Sequence, residues 1–275
     1  MSHPIISVKD LRYSYGMGQE ILKGISLDIM KGEKIAVIGT NGAGKSTFFL
    51  NLNGVLTPDS GEIYFHGRKM EQSKEDLMEL RRGIGIVFQD ADNQIIATTV
   101  MGEVSFGPMN LGLPKEEVKN RVLEALSYMN IADFKERAPH YLSGGEKKRV
   151  TIADIIAMHS EVIVFDEPTA ALDPVNVCAL ETVLHKLSNE DKTLLISTHD
   201  LDFAYRWADR IIVFSNGQVI ADGIPEDVFQ QEDILVKANL KTPTLLSMRN
   251  ILLKHGVLPD TEAYPKTVED FDILL

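Results

Sequence analysis

The stretch GTNGAGKST at residues 39–47 has the residue types and spacing of a phosphate-binding loop. It fits the pattern G-x-x-x-x-G-K-[ST] and directly follows the apolar run 34–38, which predicts a strand, a loop and a helix in that order. In such a loop, backbone N–H groups surround the phosphates and the start of the helix adds partial positive charge. The candidate nucleotide-binding residues are Gly39, Asn41, Gly42, Ala43, Gly44, Lys45, Ser46 and Thr47.

Three side chains of this loop have distinct expected tasks. Lys45 pairs with the β- and γ-phosphates of the nucleotide, the Ser46 hydroxyl binds Mg²⁺, and Thr47 contacts a phosphate. A purely structural glycine turn is the alternative, and the complete motif directly after a strand argues against it.

Two further groups stand where predicted strands end. VIVFDE at 162–167 ends an apolar run with Asp166 and Glu167, and two adjacent carboxylates there are costly unless a cation or a reacting water is near. Asp166 fits the Mg²⁺ shell, and Glu167 fits a general base that polarises the attacking water. His199, after the run LLIST, is placed to contact the γ-phosphate and that water. A solvated acidic pair is the alternative for the carboxylates.

A second candidate anion site lies in LSGGEKKRV at 142–150. We expect Ser143 to cap a helix whose first N–H groups, beside Gly144 and Gly145, have no partner and face an approaching anion. Without a phosphate loop of its own, this stretch is not expected to hold a nucleotide alone. A plain helix cap is the alternative interpretation.

Composition narrows the class of protein. With 28 Lys and Arg against 40 Asp and Glu, the net charge of −12 argues against the chain as a whole binding nucleic acid or an anionic lipid surface. Cys178 is the single cysteine, which excludes an internal disulfide, and its apolar neighbours predict a small buried core residue. The sequence has no signal-peptide pattern and no apolar run of spanning length, so we expect a cytoplasmic location.

The pattern of apolar residues predicts the elements that position these groups. Alternating runs within 5–29 predict two antiparallel strands, and short apolar runs at 35–38, 84–88, 162–165 and 194–197 predict a helix-covered parallel sheet. Asn216-Gly217 predicts a hairpin within 210–220. The expected fold is therefore α/β, with a mixed sheet that carries a phosphate-binding loop.

Helical patterns replace the strands in two parts of the chain. From about 90 to 160 they predict a helical subdomain inserted in an ATPase domain of residues 1–223, with Val118, Val122, Leu126 and Met129 on one buried face. Residues 224–275 predict a small helical extension. There the stripe Leu245, Met248, Ile251 and Leu252 is interpreted as intramolecular packing, with a partner interface as the alternative.

GTNGAGKST, Gln89, LSGGE, VIVFDE, AALD and His199, in that order, resemble the motifs of an ABC-transporter ATP-binding subunit, a P-loop NTPase with a RecA-like core. The resemblance covers about residues 5–223. It implies that Tyr15 stacks on adenine, with Tyr13 as the alternative. It also implies that Gln89 senses Mg²⁺ and the membrane partner, and that Asp173 bridges two subunits. Ser143, Gly144 and Gly145 would then close over the γ-phosphate of ATP held by the Lys45 loop of a second ATP-binding subunit, in a homodimer or a heterodimer.

The segment after Gln89, DADNQIIATTVMGEVSFGPMNLGLP, resembles the energy-coupling-factor importers, and the tail resembles their cobalt or nickel members. This likeness implies ATP hydrolysis coupled to transport at the cytoplasmic face of the cell membrane, with a transmembrane coupling subunit and a membrane substrate-binding subunit. Asp90 and Asp92 are expected to receive an arginine of the coupling subunit, with an exposed acidic loop as the alternative. The alternatives are a vitamin importer and a soluble ABC ATPase without a membrane partner.

Overall fold

The computed structural model describes residues 3–16, 18–170, 172–259 and 263–274. The strands of these ranges are β1 Ile6–Tyr15, β2 Gln19–Ile29, β3 Lys34–Ile38, β4 Ser60–Phe65, β5 Arg68–Lys69, β6 Ile84–Val87, β7 Val162–Asp166, β8 Thr193–Ser197, β9 Arg210–Ser215 and β10 Gln218–Gly223. The α-helices are α1 Lys45–Leu52, α2 Lys74–Gly83, α3 Val100–Asn110, α4 Lys115–Tyr128, α5 Gly144–Ala157, α6 Pro174–Asn189, α7 Leu201–Trp207, α8 Pro225–Val228, α9 Glu232–Lys237, α10 Thr244–Lys254 and α11 Asp270–Leu274.

The strands form two sheets, which confirms the predicted α/β fold. The antiparallel sheet has the order β2-β1-β4-β5 and the larger sheet has the order β10-β9-β3-β8-β7-β6. In the larger sheet, β9, β3, β8, β7 and β6 pair in parallel, and β10 pairs antiparallel with β9. Asn216 and Gly217, with φ of 48° and 80°, make the turn between β9 and β10 that the sequence predicted.

Side chains of the central strands enter two hydrophobic cores. In β3, Ala36 and Ile38 pack with the helices on one face of the larger sheet, while Ile35 and Val37 pack in the second core. That second core fills the space between the two sheets, where Phe48 of α1 is also buried. Because successive side chains of a strand point to opposite faces, burial on both faces explains the short continuous apolar runs.

Residues 88–161, all of which are described, contain α3, α4 and α5 and no strand. The four residues predicted for the inner face of α4 and its end, Val118, Val122, Leu126 and Met129, are all buried. The division of the chain into domains at these positions stays a prediction. None of the helices in the described ranges has both the length and the apolar character that crossing a bilayer requires.

The tail packs on the rest of the chain, as predicted, but only part of the predicted stripe faces inward: Leu245 packs against the core. Val228, Leu235 and Leu246 belong to the core on the helical face of the larger sheet. Met248 and Ile251 of the predicted stripe are exposed, whereas Arg249 is buried. The Arg249 Nε donates to the carbonyl of Ala263 at 2.8 Å, and the guanidinium lies 4.2 Å from the centre of the Tyr264 ring. A polar side chain therefore takes an inward position that hydropathy assigns to an apolar one.

The prediction that Cys178 is buried is wrong, because the structure places it on the exposed face of α6. The buried stripe of this helix is Leu180, Leu184 and Leu187. Cys178 precedes Leu180 by two residues, which is about 200° of helix rotation, so it points away from the core.

We expect the thiol of Cys178 to react with a water-soluble disulfide reagent in the folded protein, because an exposed thiol is accessible without unfolding. The measurement is the release of one chromophore per chain before and after denaturant, with Cys178→Ser as the control that releases none. Reaction only after denaturant is added would show that the thiol is buried.

Candidate nucleotide-binding site

The register of the parallel strands brings the predicted groups to one edge of the larger sheet. Ser197, at the end of β8, lies opposite Val37 of β3 on one side and Asp166 of β7 on the other. The loop that follows β3, the Asp166-Glu167 pair and His199 therefore leave neighbouring strands at the same edge. Ligands of open parallel sheets bind at this edge, outside the carboxyl ends of the strands.

Most of the predicted residues line a cavity of about 270 Å³ at this edge. Its lining consists of Tyr15, Ile21, Asn41, Gly42, Ala43, Gly44, Lys45, Ser46, Thr47, Gln89, Asp166, Glu167 and His199. Ile21 alone among them was not predicted from the sequence.

The loop after β3 has a backbone that side chains would disturb. Gly39 has a φ of 144°, and a Cβ there would lie 2.2 Å from the carbonyl oxygen of Phe214. Gly44 has a φ of 106° and is the N-cap of α1, without a side chain to cover the first N–H groups of that helix. These groups and the helix dipole favour an anion at this point. The ammonium of the buried Lys45 donates hydrogen bonds to the carbonyls of Gly39 at 2.7 Å and Thr40 at 3.3 Å.

Lys45, Glu167 and His199 lie close together at the cavity. The Oε1 of Glu167 lies 3.0 Å from His199 Nε2 and 3.9 Å from Lys45 Nζ. Burial raises the pKa of Glu167, and the neighbouring His199 and Lys45 oppose that rise. Burial lowers the pKa of Lys45, while Glu167 and Asp166 favour its charged form. Glu167 also has a φ of 46°, an uncommon backbone conformation for a residue other than glycine.

Ser197 is a site residue that the sequence reasoning missed. Its buried hydroxyl donates to Asp166 Oδ1 at 2.5 Å and accepts from the backbone N–H of Glu167 at 2.8 Å. One side chain thus fixes both carboxylate residues at the end of β7. The sequence signal is weak, because only the pairing of β7 with β8 brings Ser197 beside Asp166.

Ser46, Gln89 and Asp166, whose side chains carry oxygen atoms that can bind a metal ion, line the same cavity. Hydroxyl, amide and carboxylate oxygens suit Mg²⁺, which usually takes few protein ligands and keeps phosphate oxygens and waters. In the described part of the chain, no group of three or more His, Cys, Asp or Glu could hold a metal ion by itself. The residues present therefore fit a cation that arrives with a nucleotide.

The structure distinguishes the two candidate tyrosines. Tyr15 lines the cavity, is half exposed, and has its hydroxyl 3.4 Å from Thr47 Oγ1. Tyr13 packs against the core between the sheets and meets the Tyr15 ring edge-on, with 4.9 Å between ring centroids. Tyr15 is thus the tyrosine with a free face near the phosphate-binding loop.

Ser143, Gly144, Gly145 and Asp173 do not line this cavity. Ser143 caps α5 through a capping box, in which its hydroxyl accepts from the Glu146 N–H at 3.3 Å and its own N–H donates to Glu146 Oε2 at 2.7 Å. Asp173 caps α6 and accepts two hydrogen bonds from Asn176. The Asn176 side chain packs on Gly145, where a Cβ would lie 2.5 Å from it. These residues form a second group, on helix starts, apart from the cavity.

Residues after Gln89 are held by side chains of α5. Lys147 Nζ lies 2.6 Å from Asp92 Oδ1, so the carboxylate expected to meet an arginine of a partner already has a cation. Asp90 caps the short turn Ala91–Asn93. Lys148, which the sequence reasoning also missed, donates to the carbonyls of Phe88 and Gln89.

Known proteins are similar to this chain in sequence and in fold. The ABC transporter family model matches residues 22–170. The energy-coupling factor transporter ATP-binding protein EcfA of Methanocaldococcus jannaschii is 46% identical over 255 residues, which are 93% of this chain and 91% of that protein. A putative ABC transporter ATP-binding protein of Methanothermobacter marburgensis is 45% identical over 264 residues, with 96% and 95% of the two chains covered.

Two solved structures extend the comparison. CbiO1 of Clostridium perfringens, part of the ABC transporter complex CbiONQ, has a TM-score of 0.76 and 40% identity, covering 92% of this chain and all of that one. An ATP-binding cassette solved as a dimer in a post-hydrolysis state, bound to ADP and phosphate, has a TM-score of 0.72 and 31% identity, covering 80% and 98%.

The chain therefore belongs to the ABC transporter family. Within that family it is an ATP-binding subunit, a P-loop NTPase whose class hydrolyses ATP to drive transport.

Replacing Ser197 by Ala should lower the free energy of unfolding by about 1–3 kcal/mol, because Asp166 loses a donor and the Glu167 N–H loses its acceptor inside the protein. ATP hydrolysis should also fall. Urea denaturation gives the first quantity and phosphate release the second. Ser105→Ala is the matched control, since that hydroxyl only bonds the Met101 carbonyl one turn earlier in its own helix. Equal stability and equal turnover of the two variants would contradict the role of Ser197.

Proposed function

We propose that this chain binds and hydrolyses ATP as the energising subunit of an energy-coupling-factor importer. The observation that carries the proposal is the cavity in which the phosphate-binding loop meets Glu167 and His199. The name of the similar protein of Methanocaldococcus jannaschii supports the type of transporter.

In this proposal the cavity binds both the adenine and the phosphates of ATP. The adenine stacks on Tyr15, and the phosphates lie on the backbone N–H groups of residues 39–47. Lys45 pairs with the β- and γ-phosphates, and Thr47 adds a phosphate contact. Ser46, Asp166 and Gln89 would hold Mg²⁺, which when bound would supply positive charge beside the transferred phosphoryl group.

Glu167 acts as the general base on the attacking water. A buried carboxylate with a raised pKa is a stronger proton acceptor than an exposed one, which suits this role. His199, 3.0 Å from the same carboxylate, fixes its orientation and contacts the γ-phosphate and the water. Ser197 keeps Asp166 and Glu167 at fixed positions on the edge of the sheet.

A second ATP-binding subunit completes the site. Ser143, Gly144 and Gly145 lie outside the cavity of their own chain, and Gly144 and Gly145 supply the first N–H groups of α5, for which the helix itself has no acceptor. In a head-to-tail dimer they close over the γ-phosphate held by the partner's phosphate-binding loop, and Asp173 contacts the partner. The dimer of a similar cassette with ADP and phosphate supports this arrangement. Hydrolysis then removes the phosphate that joins the halves.

A groove beside the site suits a transmembrane coupling subunit. It has a volume of about 550 Å³ and runs between α2 and α3, with Val55, Met78 and Phe106 exposed along it. Exposed apolar side chains in a concave surface mark a protein contact. Asp90 and Asp92 offer carboxylates for an arginine, which at Asp92 would have to share with Lys147. The chain would thus sit at the cytoplasmic face of the membrane through its partners, which include a membrane substrate-binding subunit.

For the cargo we propose cobalt or nickel ions. The support is the likeness to CbiO1, described as part of the complex CbiONQ, together with the resemblance of the tail. A vitamin importer is the second candidate, because the ATP-binding subunit does not contact the cargo. A soluble ABC ATPase without a membrane partner is the third.

Glu167→Gln should accumulate as an ATP-bound dimer, because ATP still joins the two subunits while the base that activates water is lost. Light scattering with saturating ATP and Mg²⁺ measures the mass. The control is the double variant with Lys45→Ala added to Glu167→Gln. It should stay monomeric because the contact of Lys45 with the nucleotide is removed. A monomeric Glu167→Gln with bound ATP would contradict the head-to-tail dimer.

Phe106→Glu should abolish recovery of a transmembrane protein from solubilised membranes of the source organism, since it places a charge in the apolar groove. The measurement is co-purification with tagged protein, followed by identification of the recovered chains. Val236→Glu is the control, because Val236 is also apolar and exposed but lies outside the groove. Recovery of soluble partners alone by the unaltered chain would favour the third candidate function.

A further inference from the structure

Two adjacent lysines of α5 reach the loop that follows β6, but they hold it differently. Lys148 Nζ donates to the backbone carbonyls of Phe88 and Gln89, at 2.7 Å each. Lys147 Nζ reaches the side chain of Asp92 at 2.6 Å, and that carboxylate is largely exposed. Exposed ion pairs contribute little to stability, so the hold of α5 on the loop rests mainly on Lys148.

Lys148 is buried to an unusual degree for a lysine, with 4% of its surface exposed. Among the ion pairs of the described residues, none includes Lys148, so its hydrogen-bond partners are the two carbonyls. Burial lowers its pKa to about 8, although Asp90 and Asp166 at longer range favour the charged form. A buried ammonium is costly unless its hydrogen bonds are kept, so these carbonyls cannot move away from Lys148 without a penalty.

The same stretch of backbone has a second contact, at the N–H of Phe88. The N–H of Phe88 donates to Gln94 Oε1 at 3.0 Å. Farther along, Glu103 Oε2 accepts from the N–H groups of Ile96 and Ala97 at 2.9 and 2.7 Å. The backbone at Gln89, whose side chain lines the nucleotide cavity, is therefore fixed chiefly by α5 and by the loop itself.

The helix that carries Lys148 also carries the second anion site. Ser143 is the N-cap of α5, and the Lys147 N–H bonds to the Ser143 carbonyl at 2.9 Å in the first turn. A single helical turn is rigid, because its backbone hydrogen bonds fix the residues relative to one another. A displacement of Ser143 would therefore carry Lys148, and with it the backbone of Gln89.

We propose that Lys148 is a positioning residue that ties Gln89 of one nucleotide site to the start of α5, which completes the other site. This inference rests on the proposed head-to-tail dimer. Closure of α5 over the partner's ATP then sets Gln89 at the chain's own ATP in the same movement. Lys148 touches neither nucleotide and acts through the backbone of Phe88 and Gln89.

The test is ATP hydrolysis by Lys148→Met, which keeps the length and apolar stem of the side chain but removes its hydrogen bonds. We expect kcat to fall about tenfold or more, with the affinity for ATP within about twofold of the unaltered chain. Lys147→Met is the matched control, and its kcat should stay within about twofold, because it loses only an exposed ion pair.

A double-mutant cycle with Gln89→Ala separates positioning from general destabilisation. If Lys148 acts through Gln89, the double variant should have about the kcat of Gln89→Ala alone. Losses that multiply, or a Lys148→Met variant with unchanged kcat, would overturn the inference. If circular dichroism shows that Lys148→Met is unfolded, Lys148→Gln is assayed by the same criteria, because its shorter side chain cannot bond both carbonyls that Lys148 holds. Absence of ATP hydrolysis by the unaltered chain would instead count against the proposed function.

Discussion

The parallel pairing of buried strands is the constraint on which the candidate site depends. β3, β8, β7 and β6 are neighbours in that order, so the loops at their carboxyl ends share one edge. The register places Asp166 opposite Ser197 and Ser197 opposite Val37. A slip of one residue would turn every side chain of a strand to the other face, and both faces of these strands are packed in cores. Packing of the cores thus fixes the positions of polar groups that lie outside them.

Charge compensation is the second condition at this edge. Lys45 and Glu167 are each disfavoured in their charged forms by burial, and each favours the charged form of the other. Their separation of 3.9 Å leaves the pair without a direct hydrogen bond, and His199 makes the closer contact. A bound phosphate would further favour the charged form of Lys45, because an opposite charge nearby offsets the cost of burying the ammonium. Ser197 contributes without carrying charge, by holding the backbone and the carboxylate that adjoin the pair.

Most of the residues that local motifs single out line one cavity, whereas contacts between distant elements cannot be read from a local motif. The motif at residues 39–47 predicts the geometry of the loop, because the loop, its lysine and the following helix are contiguous in the sequence. Ser197 and Lys148 join the site only through a strand register and a helix packing that no short pattern encodes. Helix faces were predicted where an apolar stripe was regular, as in α4. The prediction failed for Cys178, which lies off the stripe of α6, and in part for α10, where Leu245 packs inward as predicted but Arg249 occupies another inward position.

The central claim is that the phosphate-binding loop of one chain works with the Ser143 segment of another. Mixing two inactive variants, Lys45→Ala and Ser143→Arg, tests it most directly. A mixed dimer has one site in which both altered residues meet and one site in which neither occurs. Phosphate release should therefore appear on mixing, at a fraction of the turnover of the unaltered chain, while each variant alone stays inactive. A mixture that remains inactive in Mg²⁺ and ATP, although a tag on one variant recovers the other variant with it, would contradict the shared site.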